Sequence, residues 1–242
     1  MLPAQPNQSL IDGLACLQHL AARGEALACA DLARELGLET TRANRLLRTL
    51  AHLGLAEQDE KRRYRPGPAI HVLAAQALFG SGLLRAAMPH LEELRRFNCV
   101  VAMGVLWRDK VCYLYHASPK TPPGEALGKV GLYPVIQSGI GCALLAAEED
   151  KQVKERLKGL TDAAAMRELL TKLRTFRQTG VAIVPQENQK NVISYGVAIG
   201  DRPAAAIGLS GQLTASIEPK AIEALQQAAS AIAAARFFPS PS

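Results

Sequence analysis

The side chains in this sequence that are best suited to chemistry recur at helical spacing between residues 40 and 48. They are polar or basic and lie opposite a stripe of leucines: Thr40, Thr41, Arg42, Asn44, Arg45 and Arg48. Arginine can donate two hydrogen bonds to the edge of guanine, asparagine can pair in the same way with adenine, and threonine and arginine also hold phosphates. The pattern therefore indicates one face of a helix that contacts a nucleic acid.

A second basic segment follows in Lys61-Arg62-Arg63-Tyr64-Arg65. Residues 40–65 carry seven lysines and arginines against three acidic residues, an excess of four positive charges out of +6 for the whole chain. Basic side chains on a hairpin can enter a minor groove or grip the phosphate backbone. We predict further contacts from Arg62, Arg63, Tyr64 and Arg65, although charge alone also fits an ordinary solvated surface.

The elements that would position these side chains are three helices followed by a hairpin. Apolar residues at a period close to 3.6 predict helices over about residues 10–22, 29–36 and 40–53, and Gly24, Gly37 and Gly54 would end them. Two short strands joined by a charged turn are predicted over residues 55–68. This is the order of a winged helix-turn-helix, whose third helix enters the major groove of DNA.

The remainder of the chain mixes helices with β-rich segments. An apolar, alanine-rich segment from residue 70 predicts a helix, which Gly80-Ser81-Gly82 separates from the next one. Beyond residue 98, β-rich segments alternate with helical stretches, one of them near residues 141–159. The predicted fold class is α+β: an N-terminal winged helix-turn-helix, a linker helix and a larger domain with an antiparallel sheet.

Composition narrows the classes of protein. Apolar residues make up 48% of the 242 residues, enough for a core. The five cysteines are scattered and form no C-x-x-C pair, which argues against a disulfide framework and a zinc site. The N-terminus lacks the pattern of a signal peptide, and no apolar segment approaches the roughly 18 residues of a membrane span. We expect a cytoplasmic protein with no membrane partner, metal or cofactor.

Two other functions stay open on residue types alone. Cys142 in the segment GIGCALLA could be a nucleophile at the start of a helix, with His116 as its base, in a small-molecule enzyme. A buried cysteine that serves as a small apolar side chain is the commoner explanation. The second alternative is a sensor of small molecules whose hairpin has lost its affinity for DNA.

The segment LARELGLETTRANRLLRTLAHLGLAEQDEKRRYRPGP, residues 32–68, resembles the helix-turn-helix and wing of the IclR family of bacterial transcription regulators. The resemblance is carried by Thr41-Arg42, Arg45-Leu46-Leu47, Gly54-Leu55 and Tyr64-Arg65-Pro66-Gly67. Weaker similarity continues through residues 131–146, 179–194 and 204–211. The sequence departs from the family where Cys142 replaces a usual lysine and Asn191 replaces a usual glycine.

The resemblance implies a GAF-like C-terminal domain that binds a small effector, often an organic acid or a catabolic intermediate. It also implies homodimers or homotetramers that bind a palindromic double-stranded DNA operator. The residues that it assigns to the effector site are Leu127, Leu132, Ser138, Gly139, Ile140, Val184, Val192, Ser194 and Ser210. Free N–H groups at the helix start near Ser138 could hold a carboxylate, or Ser138 could only cap that helix.

We therefore predict a winged helix-turn-helix over residues 1–68, a linker helix over residues 69–84 and an effector-binding domain over residues 85–242. In this hypothesis the effector changes operator affinity through the linker helix, by a coupling of typically about 1–3 kcal/mol. The predicted protein is a transcriptional regulator without catalytic residues, acting as a repressor or an activator.

Overall fold

The computed structural model of this protein describes residues 5–122, 125–127, 131–187, 189–201 and 203–235. The chain divides into two compact units, the first ending at Gly80 and the second beginning at Ser81. Each unit has a core of its own, since one cluster of buried apolar side chains lies in the first unit and two lie in the second.

Three helices form the framework of the first unit. They are α1 (Gln8–Arg23), α2 (Cys29–Leu36) and α3 (Thr40–His52). Gly24 and Gly37 follow α1 and α2 with left-handed φ angles of 73° and 64°, a conformation that glycine adopts without steric cost. The three predicted helices and the glycines that end the first two are confirmed.

The apolar stripe of α3 packs into the core of the first unit. Ala43 and Leu47 are fully buried, in one cluster with Leu20 of α1 and Leu32 of α2. Residues three or four positions apart share a helix face, so burial of this stripe turns the opposite face of α3 to solvent.

A three-stranded antiparallel sheet completes the helix-turn-helix, in the order β1-β3-β2. Its strands are β1 (Leu27–Ala28), β2 (Ala56–Gln58) and β3 (Arg63–Pro66). The predicted hairpin corresponds to β2 and β3, whereas β1 has only two residues and shows no β pattern in the sequence. Because β3 pairs with both neighbours, it is the central strand.

Helix α4 (Ala69–Ser81) follows the hairpin and contains no charged and no buried residue. Gly82, at a φ of 66°, separates it from α5 (Leu83–Leu94), as the glycine-rich break predicts. Among the described residues no single helix is long and apolar enough to cross a membrane. Among the same residues, one bent pair, α4 with the segment Leu83–Phe97, has the length and apolar composition that a membrane span needs.

A six-stranded antiparallel sheet organises the second unit, in the order β6-β5-β4-β9-β8-β7. The strands are β4 (Val100–Trp107), β5 (Lys110–Ala117), β6 (Tyr133–Pro134), β7 (Ala182–Pro185), β8 (Ile193–Ala198) and β9 (Ala206–Gly211). Pairing of β4 with β9 joins the two halves of the sheet. Asn191, before β8, takes a φ of 60°, a left-handed geometry that asparagine tolerates in place of glycine.

Helices cover both faces of this sheet. Helices α5 and α9 (Glu218–Ala234) pack on one face, and α6 (Gly139–Ala146) and α8 (Ala163–Thr179) pack on the other. The predicted helical stretch near residues 141–159 consists of α6 and a separate α7 (Asp150–Arg156). The two units together confirm the predicted α+β class with an N-terminal helix-turn-helix and an antiparallel sheet.

A β-bulge in β5 decides which side chains reach each face of the sheet. The register with β4 shifts in the middle of the pair, which leaves Leu114 as an extra residue between Tyr113 and Tyr115. A bulge interrupts the alternation of a strand and re-aims its side chains. Tyr115 is buried with α5 and α9, whereas Tyr113 and His116, three residues apart, both line a cavity on the α6 face.

Two glycines allow α6 to contact the backbone of the sheet directly. A Cβ atom on Gly196 of β8 would lie 2.0 Å from the carbonyl oxygen of Gly139. A Cβ atom on Gly139 would lie 2.8 Å from the carbonyl oxygen of Ser194. Because both positions are glycine, the first turn of α6 rests on β8, next to the cavity.

Candidate functional site

The solvent-facing side of α3 carries side chains that the sequence assigns to nucleic-acid contacts. Thr40, Thr41, Asn44, Arg45 and Arg48 are all exposed. Within the part of the chain that the structure describes, neither Arg45 nor Arg48 has a carboxylate within 4.0 Å. The helix therefore presents two guanidinium groups whose charge no acidic neighbour offsets.

Arg42 differs from the other basic residues of α3 because it has a partner on α1. Its Nε lies 2.8 Å from a carboxylate oxygen of Asp12, and Asp12 also accepts a hydrogen bond of 2.7 Å from Gln8. Asp12 is only 8% exposed, and a buried carboxylate is costly without such partners. Arg42 thus ties α3 to α1, in addition to lying beside the predicted contact face.

Asp59 holds the turn between β2 and β3. Its carboxylate accepts hydrogen bonds from the backbone N–H of Arg63 at 2.8 Å and from the Arg63 Nε at 2.9 Å. The backbone N–H of Arg63 is the main cause that lowers the pKa of Asp59 below its usual value. At the tip, Arg62 has a φ of 59°, which is uncommon outside glycine, and both Arg62 and Lys61 are exposed.

The remaining two hairpin residues, Tyr64 and Arg65, point in opposite directions from β3. Arg65 is exposed and its Nη2 lies 2.9 Å from Glu57 across the hairpin. Tyr64 is only 2% exposed and belongs to the core of the first unit. The prediction that Tyr64 contacts nucleic acid is therefore wrong, because alternation along the central strand turns its ring inward while Arg63 and Arg65 face solvent.

Sequence reasoning missed the acidic residues that order this surface. Asp59 and Arg63 lie four residues apart on either side of a polar turn, a proximity that could have suggested their pairing. Asp12 and Arg42 belong to different helices, and no local pattern links them.

A cavity of about 480 Å³ lies in the second unit, on the face of the sheet that α6 covers. Its volume falls within the range of roughly 300–1,000 Å³ that is typical of small-molecule sites. Five of the nine residues assigned to an effector line this cavity: Ser138, Ile140, Val192, Ser194 and Ser210.

The other four assigned residues do not line this cavity. Gly139 is buried where α6 meets β8. Val184 lines a second cavity, of about 450 Å³, beside α8. Leu127 and Leu132 are 51% and 38% exposed, and they do not line the first cavity in the described part of the second unit. Gly139 and Val184 are nevertheless neighbours of Ser194, through a hydrogen bond and through the β7–β8 register, whereas Leu127 and Leu132 do not join the five.

Three N–H groups in the first turn of α6 already have partners within the protein. The Gly139 N–H donates to the Ser194 hydroxyl at 3.1 Å, and the Gly141 N–H donates to the Ser138 hydroxyl at 3.2 Å. Ser138 is thus the N-cap of α6, and its own carbonyl accepts from the Cys142 N–H at 2.8 Å. The expectation that these N–H groups are free to hold a carboxylate is wrong for Gly139, Gly141 and Cys142.

Several polar residues of the cavity were not predicted. The Tyr113 hydroxyl lies 3.0 Å from the Ser138 hydroxyl, and its ring stands edge-on to the His116 ring at 5.5 Å between centroids. Burial raises the pKa of Tyr113, so its hydroxyl stays protonated at neutral pH. Tyr133 and Gln186 also line the cavity, with the Tyr133 hydroxyl 3.5 Å from the Gln186 side-chain oxygen. The bulge in β5 places Tyr113 and His116, and no pattern in the sequence signals it.

The surroundings of Cys142 do not suit a nucleophile. Its side chain is 2% exposed on the first turn of α6, and its Sγ lies 3.5 Å from the Ile136 carbonyl oxygen. Burial is the main cause that raises the pKa of Cys142 to about 12. A thiol becomes a useful nucleophile when its pKa is lowered, so the alternative of a Cys142 enzyme finds no support.

Both parts of the chain match one family of known proteins. Residues 9–60 match the family described as "IclR helix-turn-helix domain". Residues 75–234 match the family described as "Bacterial transcriptional regulator IclR C-terminal", which is more than half of the chain.

Individual relatives point to the same family. The chain is 26% identical over 244 residues to a glycerol operon regulatory protein of Streptomyces coelicolor, covering 95% of this chain and 96% of the relative. It is 29% identical over 213 residues to the transcriptional regulator BhcR of Paracoccus denitrificans, covering 79% of this chain and 73% of the relative.

The fold is also found in solved structures. An IclR homolog from Microbacterium hydrocarbonoxydans, complexed with 4-hydroxybenzoate, has a TM-score of 0.71 at 22% identity, covering 94% of this chain and 98% of that chain. An IclR family regulator from Brucella abortus has a TM-score of 0.76 at 23% identity, covering 97% and 94%. The matched family consists of DNA-binding regulators, not enzymes, whose binding to DNA responds to an effector. The chain belongs to this IclR family of bacterial transcriptional regulators.

Proposed function

We propose that this regulator contacts its operator through the solvent-facing side of α3 and the tip of the hairpin. The observation that carries the proposal is that Arg45 and Arg48 are exposed and unpaired within the described chain, beside Asn44 on the same face. Arginine and asparagine are the side chains that read guanine and adenine edges. Lys61 and Arg62 at the hairpin tip add charge for the phosphate backbone.

The test is binding of a fluorescent duplex from the promoter next to the protein's own gene, measured by anisotropy across a range of salt concentrations. Arg45→Ala should weaken binding by about 1–3 kcal/mol, because it removes a base or phosphate contact. The matched control is Arg167→Ala, which removes the same charge from an exposed position in the second unit. Equal affinity of the wild-type protein and the Arg45→Ala and Arg48→Ala variants would contradict the proposal.

The effector site of this proposal is the cavity on the α6 face of the sheet. Five assigned residues surround it, and its polar lining can orient a small molecule while its apolar lining excludes water. Two relatives are named for the glycerol operon. Their names support the view that this regulator controls catabolic genes, and its proposed location is the cytoplasm, where a bacterial operator is found.

The proposed assembly is a homodimer or a homotetramer, held in part by contacts between α4 helices. Helix α4 has no charged residue, and Val72, Leu73 and Phe79 are 54%, 54% and 80% exposed in the single chain. Large apolar side chains clustered on an exposed helix mark interaction surfaces. A palindromic operator has two equivalent half-sites, so a second copy of the same chain is the partner that fits.

Light scattering after gel filtration tests this assembly. Leu73→Glu should shift the mass of the wild-type oligomer toward the 25.9 kDa monomer, because a buried glutamate without a partner is costly. The control is Leu160→Glu, at a site 59% exposed in the second unit. A monomeric wild-type protein, or an unchanged mass for Leu73→Glu, would overturn the assignment of α4.

A linker role for α4 completes the mechanism. In this proposal, effector binding in the second unit changes the spacing of the two α3 helices of a dimer through α4, which lies between the hairpin and Gly82.

A further inference from the structure

In the part of the second unit that the structure describes, the polar lining of the effector cavity consists of hydroxyl and amide groups and the His116 imidazole. No aspartate, glutamate, lysine or arginine is found among the described residues that line it. The polar members are hydroxyl, amide and imidazole side chains: Asn98, Tyr113, His116, Tyr133, Gln137, Ser138, Gln186, Gln189, Ser194 and Ser210. Removing a carboxylate from water is expensive when no cation pairs with it, whereas an uncharged hydroxyl needs only a hydrogen-bond partner.

Two of the backbone N–H groups at the start of α6 are already bonded within the protein. The helix start at α6 is the place where an anion would usually find free donors. Here the N–H groups of Gly139 and Gly141 donate to the hydroxyls of Ser194 and Ser138 at 3.1 and 3.2 Å. An anion at the Gly139 N–H would have to displace its hydrogen bond to Ser194, which also holds α6 against β8.

The hydroxyl groups that accept these bonds keep donors of their own. The Ser194 hydroxyl accepts from Gly139 and retains its O–H proton. The Tyr113 and Ser138 hydroxyls share one hydrogen bond of 3.0 Å, so one O–H of that pair remains for a ligand. Ser210 lies directly opposite Ser194 in the β8–β9 register, on the same face of the sheet. The cavity therefore offers groups that both donate and accept.

We propose that the effector is an uncharged, hydroxylated small molecule, an alcohol or polyol, held by Tyr113, Ser138, Ser194 and Ser210. A ligand hydroxyl both donates and accepts, which matches the protein hydroxyls, and Ile140 and Val192 pack against its carbon skeleton. This inference rests on the proposed function of the cavity as the effector site. It selects an uncharged catabolic intermediate over an organic acid.

The experiment is calorimetric titration of the full chain with matched pairs of an alcohol and the corresponding acid. Three pairs of increasing size are glycerol with glycerate, 4-hydroxybenzyl alcohol with 4-hydroxybenzoate, and glucose with gluconate. We expect at least one alcohol to bind with a Kd at least tenfold lower than that of its acid. Tighter or equal binding of every acid, or no binding of any alcohol by folded protein, would overturn the proposal.

Two substitutions connect binding to the named hydroxyls. Tyr113→Phe and Ser210→Ala should each raise the Kd of the bound alcohol about two- to tenfold, the loss expected for one neutral hydrogen bond. The matched control is Ser230→Ala, at an exposed serine of α9, which should leave the Kd unchanged. Ser210→Lys places a cation beside the cavity and should shift preference toward the acid of the same pair. Unchanged affinity in the first two variants would remove these residues from the site.

DNA binding, measured on the same preparations, separates this inference from the proposed function. A protein that binds its promoter and responds only to acids would overturn the ligand class and leave the regulator intact. A protein that binds an alcohol in the cavity without any affinity for DNA would overturn the operator contacts and support the ligand class.

Discussion

In the DNA-binding unit, some arginines form ion pairs with carboxylates of the protein, whereas others have no such partner among the described residues and can bind a polyanion. Arg42, Arg63 and Arg65 each lie within 3 Å of a carboxylate, at 2.8, 2.8 and 2.9 Å. Arg45 and Arg48 have no such partner among the described residues. The same residue type thus serves structure at these three positions, whereas Arg45 and Arg48 on α3, with Arg62 at the hairpin tip, remain available for binding.

The Asp12–Arg42 pair gives a prediction for stability. Arg42→Ala should lower the free energy of unfolding by about 1–2 kcal/mol, because it leaves a mostly buried carboxylate with one partner fewer. Urea unfolding followed by circular dichroism measures the change. Asp12→Ala with Arg42→Ala should lose less than the sum of the single losses. Arg34→Ala, at a 73% exposed arginine paired with Asp31, should change stability by less than about 0.5 kcal/mol.

Cys142 gives a prediction for reactivity. With a pKa of about 12, only about one thiol in ten thousand is ionised at pH 8, and the side chain is buried as well. We expect iodoacetamide to leave Cys142 unmodified in the folded protein at pH 8, as peptide mass spectrometry would show. In urea, all five cysteines should react. Rapid modification in the folded state would reopen the enzyme hypothesis.

At the scale of elements, the contact between α6 and β8 controls the cavity. The first turn of α6 rests on the sheet through Gly139 and Gly196, and the same turn carries Ser138 and Ile140 into the cavity lining. The bulge in β5 brings Tyr113 and His116 to the same space from the other side. The placement of α6 on β8 and the extra residue in β5 therefore decide which side chains a ligand contacts.

Gly196→Ala tests this contact. The new Cβ would lie 2.0 Å from the Gly139 carbonyl oxygen, so α6 must move away from the sheet. Overpacking of this kind typically costs about 1–3 kcal/mol, and we expect at least that loss in chemical unfolding. Gly131→Ala is the control, since no atom lies within 4 Å of its new Cβ. A Gly196→Ala protein as stable as the control would show that α6 is not held at this distance.

At the scale of the whole molecule, the two units must be coupled for an effector to control transcription. Coupling free energies between sites are reciprocal, so an effector that changes DNA affinity by a given factor must have its own affinity changed by the same factor. We expect a factor of about 5 to 150, as typical couplings of 1–3 kcal/mol imply. Titrating effector with and without saturating promoter DNA measures it. A factor of one in both directions would contradict regulation by this effector.

Sequence patterns by themselves determined the elements of this protein and its family. The 3.6-residue period, the glycines at helix ends and the charged turn depend on neighbours along the chain, so they predicted α1 to α3 and the hairpin. The IclR resemblance then placed Ser138, Ser194 and Ser210 near one site, and these residues line one cavity.

Tertiary structure alone decided which of those side chains are available. Tyr64 is buried because its face of β3 packs on the core formed by α1, α2 and α3, and Arg42 is paired because α1 brings Asp12 to it. The N–H group of Gly139 is occupied because β8 brings Ser194 to it, 55 positions apart in the chain. Each outcome depends on partners distant in sequence, whose contacts no local period encodes.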